Sequence, residues 1–187
     1  MKLTSSLLKT ISLILAILSI VAFAAGVYVL VTSPVIHNNS GMLFALLIWM
    51  ASLVFAAIYG FKGFGKPAAK FYKAFLILVL ISLLVYLWLG VNCLLNGEAR
   101  PDLATVILTA LCCICVAIFA FVKDFGKLAS TVFAYIYLIA GLAIFFIGLL
   151  TAEIPAIIVS FGQFLLAEIT FVLVDAKYID KDARGTK

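Results

Sequence analysis

Six apolar runs decide what this chain can become, because each is long enough to cross a bilayer. They are Ile11–Val31, Met42–Phe61, Phe71–Leu94, Leu103–Val122, Val132–Thr151 and Ile154–Val174. Each holds 20 to 24 residues, and about 20 suffice for a ~30 Å hydrocarbon core. Inside lipid every backbone N–H and C=O must be satisfied within the protein, which leaves helices or closed barrels. None of the runs alternates with period two, so a barrel is not supported. The expected fold is an all-α membrane protein, a bundle of six transmembrane helices forming one polytopic domain over residues 1–187. Composition agrees: 67% of the chain is hydrophobic and 11% charged, whereas a soluble domain has roughly 45–50% and 25%. Such a chain cannot clothe a soluble globule in charge, and it has no basic face for nucleic acid.

The breaks fall at turn or charge signals: Ser33-Pro34 to Gly41, Lys62 to Lys70, Asn96-Gly97 to Asp102, Lys123 to Lys127, and Ala152-Glu153. Pro101 and Pro155 stand where helices begin, the place where a missing N–H costs least. Met1–Lys9 and Ala22-Phe23-Ala24 together resemble a signal peptide with its cleavage site. The apolar run continues past that site to Val31, so the first span is expected to be retained.

Twelve of the thirteen Lys and Arg residues fall at one end of such a bundle, in the N-terminal segment, the second and fourth loops and the C-terminal tail. Only Arg100 falls at the other end. By the positive-inside rule both termini are cytoplasmic, which an even span count requires. The expected location is the cytoplasmic membrane of a bacterium. The +5 net charge is then an orientation signal that also meets anionic headgroups.

Two loops on that side repeat one another. Lys62-Gly63-Phe64-Gly65-Lys66 sets beside Lys123-Asp124-Phe125-Gly126-Lys127 with a shift of 61 residues. The N-terminal Lys2-Leu3-Thr4-Ser5-Ser6 matches the segments starting at Lys66 and Lys127, the first at a shift of 64. The pattern predicts three two-helix hairpins in parallel orientation, a known arrangement in membrane proteins. Small residues at packing spacing, namely Ala22 with Gly26, Ala56 with Gly60 and Gly141 with Gly148, predict close helix contacts.

Chemistry is scarce. Glu168 is the one charged residue deep in a span, about two turns from Asp175. A carboxyl in hydrocarbon costs a few kcal/mol or more, so it is expected to face the bundle and pair or protonate. Lys73 and Lys9 are its candidate ion-pair partners. Ser160, Gln163 and Thr170 share its helix; at ~100° per residue, Gln163 and Thr170 form one stripe and Glu168 stands apart from it. Asn92 is a further polar position near the outer end of the third span. If a substrate or ion path exists, Glu168, Gln163, Ser160 and Asn92 would line it. The four cysteines, Cys93, Cys112, Cys113 and Cys115, include a formal C-x-x-C. It falls in mid-helix with no basic neighbour to lower a thiol pKa, so these are expected to be packing residues. A zinc site is not expected, since His37 is the only histidine and lies in an outer loop. Serine-hydrolase, zinc-protease and P-loop signatures are absent. No enzyme, cofactor or metal is expected. The leading expectation is a small transporter or substrate-capture component with its site near the last helix. The alternative is a structural or accessory protein of a larger complex or of an envelope-stress response, with no substrate pocket. Its surroundings are lipid and, in either role, a protein partner or further copies of itself.

Overall fold

A computed structural model describes the backbone of residues 2–61, 69–97, 102–122, 126–151 and 154–185, and most side chains of these between residues 10 and 174. Every element among them is helical. The helices are α1 (Lys2–Thr32), α2 (Pro34–Asn38), α3 (Ser40–Phe61), α4 (Ala69–Leu95), α5 (Leu103–Phe121), α6 (Lys127–Leu150) and α7 (Ile154–Gly185). Five contain stretches long and apolar enough to cross a membrane, and α7 adds a shorter apolar stretch, Ala156–Val172. Five of the expected spans fall on these long apolar helices and the sixth on the shorter apolar stretch of α7, as in a helical membrane bundle.

The ends differ from the sequence reading in three places, each for a local reason. First, α1 begins at Lys2, well before Ile11, because nothing between Lys2 and Thr10 breaks a helix. Second, the segment after Ser33 is not simply a break. Pro34 at the first position presets the backbone of a one-turn helix, and Ile36 on it is buried. Third, α7 continues beyond Val174 through most of the charged tail. Asp180 and Arg184 are spaced i,i+4 with the acid first, and no Gly or Pro interrupts before Gly185. Elsewhere helix starts are capped as their residues allow. The Asn39 side chain accepts from the Met42 N–H at 3.1 Å, and Asp102 accepts from the Thr105 N–H at 2.8 Å.

Each spanning helix packs against the one before and after it in the chain, and α7 returns to pack on α1. The six close into a ring, with α4 and α7 touching across it. The starts of α1, α4 and α6 lie at one end of the ring, with the end of α7. The buried positions repeat from hairpin to hairpin. In the first helices, Leu15, Val79 and Ala140 are all buried, as are Ser19, Leu83 and Ile144, at the shifts of 64 and 61 residues read from the loops. In the second helices, Leu46, Val106 and Ser160 share one register. So do Ser52, Cys112 and Leu166, then Leu53, Cys113 and Ala167, then Ala56, Val116 and Thr170, every one of them buried. Three hairpins thus turn the same face inward.

The register also explains the cysteines. Cys112 and Cys113 occupy core positions that are Ser and Leu in the first hairpin and Leu and Ala in the third. Cys112, Cys113 and Cys115 are buried and free, and Cys93 is half-buried. We expect a membrane-permeant maleimide to label Cys93 well ahead of the other three in the folded protein, and all four after SDS unfolding. Mass spectrometry reads this directly; equal labelling rates would contradict the packing.

Candidate functional site

Two places could carry function: a small cavity inside the ring, and the outer face of α7.

The cavity follows from glycine. Trp49 lies nine residues into α3, about 14 Å deep, not at the interface where Trp usually sits. Its ring needs room that neighbouring side chains would take. Gly26 of α1 and Gly162 of α7 provide it: a Cβ on either would meet the indole at 2.7 Å and 2.8 Å. The indole is 5% exposed, and its Nε1–H has no partner among the described residues. Beside it lies a space of about 10 Å³, lined by Gly26, Leu46, Trp49, Tyr86, Ile158 and Gln163 among others. That is room for about one water. The wall of this space is almost wholly apolar, although the polar residues Trp49, Tyr86 and Gln163 are among those that line it. Trp49 and Gln163 occupy the same register position in the first and third hairpins.

The expected site residues do not assemble. Gln163 lines the cavity. Ser160 faces α6 instead: its hydroxyl donates to the Ile157 carbonyl at 2.9 Å, and its side chain fills the space left by Gly148. Thr170 is fully buried and donates to the Leu166 carbonyl at 2.8 Å. Asn92 is half-buried near the end of α4 and is not part of the cavity wall. The sequence reading missed Trp49 and Tyr86. A Trp at mid-span depth was the available signal.

Glu168 lies apart from these residues. With Ser160 at zero, the buried residues of α7 spread from about 140° through 270° to 360°, and Glu168 falls near 80°. It therefore points away from the ring centre. The register gives the same answer independently. The positions equivalent to Glu168 are Val54 and Ile114, 46% and 56% exposed. Those equivalent to Phe161, one heptad earlier, are Leu47 and Ile107, 48% and 59% exposed. These are the lipid-facing stripes of the other two hairpins. The carboxyl expected to face inward lies on the outer stripe of the third. It is half-buried, because α7 is recessed. Phe145 of α6 stacks on Phe164 at 6.0 Å and tilts against Phe161 at 5.4 Å, and Tyr135 covers Phe171 at 4.9 Å. Among the described residues Glu168 has no hydrogen bond or ion pair. Lys73 is exposed on α4, which is not a ring neighbour of α7, so these two candidate partners are not brought together. The Lys9 side chain is outside the described residues.

No family model matches the chain, and neither the curated proteins nor the solved structures include a match to it.

Proposed function

We propose that this chain is an accessory membrane protein that works by lateral association through the outer face of α7, and not by carrying solute through its ring. The observation that carries this reading is where the polar groups lie. The space beside Trp49 is about 10 Å³, whereas small-molecule sites occupy roughly 300–1,000 Å³. The single deep carboxyl lies outside, where lipid gives it nothing to bond. A charge held at that position is expensive, and such residues mark functional contacts in membranes. We place the protein in the cytoplasmic membrane of a bacterium with both termini inside, on the strength of twelve of thirteen basic residues at the terminal end.

The threefold register supplies its own control. A photocrosslinking residue at 161 leaves Glu168 intact, and positions 47 and 107 are its equivalents on the other hairpins. In intact cells, position 161 is expected to yield a discrete protein adduct while 47 and 107 yield lipid. The same pattern from all three would refute the proposal. So would a solute flux through reconstituted protein that Gln163→Leu abolishes.

A further inference from the structure

We draw no further inference here: the strongest candidate, the recessed outer face of α7 around Phe161 and Glu168, carries nothing because nothing in the structure shows what covers it.

Discussion

Trp49→Ala is expected to destabilise the bundle by up to about 3–5 kcal/mol, the range for emptying a buried Trp site. In lipid the hydrophobic term between helices is small, and association rests on packing. The loss is then one of contacts. The indole lies against Gly26 of α1 and Gly162 of α7 while belonging to α3. It therefore joins three consecutive members of the ring, including the α7–α1 seam that closes it. Glycines cannot reach into the hole, so little of it heals by local repacking. Trp49→Phe keeps most of the ring and removes an N–H that has no described partner. It should cost less than about 1.5 kcal/mol. Gly162→Val provides a sharper test. A Cβ there meets the indole at 2.8 Å, so the valine is destabilising in the wild type. In Trp49→Ala the same valine enters the vacated space and should restore part of the loss, which is strong non-additivity between contacting sites. SDS titration followed by circular dichroism measures all four proteins. Additive effects, or Phe as damaging as Ala, would mean that Trp49 is not the link between these helices.

What the sequence made legible follows from how lipid acts on a helix. Length and charge are read directly, so the five long apolar helices and the apolar stretch of α7 were expected, and the three-hairpin repeat was visible in Lys62–Lys66 and Lys123–Lys127. Facing is harder. A helix in water shows its buried side by amphipathicity, but here lipid and interior are both apolar, so the pattern cannot tell inside from outside. The angles on α7 were correct: Gln163 and Thr170 share a stripe, and Glu168 stands apart. Which stripe faced inward rested on the assumption that charge turns inward, and Glu168 breaks it. The register of buried residues, with Val54 and Ile114 at the same position, settles the direction where residue chemistry could not. Trp49 escaped notice for a related reason. In a chain this rich in aromatics its mid-span depth was passed over, and its contacts with Gly26 and Gly162 are what give that depth a meaning. The short α2 was hidden because Ser33-Pro34 signals a break whether or not one helical turn follows.

Gly148→Val is expected to be the other severe substitution, by overfilling where Trp49→Ala empties. At Gly148 a Cβ would collide with the Ser160 hydroxyl and come within 2.6 Å of the Ser160 Cβ and 3.2 Å of the Ala156 carbonyl oxygen. One turn pair away, a Cβ on Gly141 would come within 2.9 Å of the Ala167 Cβ. Neither neighbour has a flexible end to move, since one is a Cβ and the other is backbone. The helices must separate, and they separate along the hairpin that carries Glu168. Overpacking costs typically 1–3 kcal/mol per site, and a branched side chain against backbone belongs at the upper end. Gly97 is the contrast: nothing lies within 4 Å of it, but its φ is +73°. Gly97→Ala therefore pays only local backbone strain, roughly 1–2 kcal/mol. Ser160→Gly separates the steric cause from any other. The Ser160 hydroxyl bonds only its own helix at Ile157, so losing it is mild alone, while in Gly148→Ala it reopens the space the new methyl requires. The double variant should recover most of the SDS midpoint lost by Gly148→Ala. A midpoint that Ser160→Gly lowers further would show that α6 and α7 do not meet through these two residues, and the seven-residue spacing of Gly141 and Gly148 would lose its explanation.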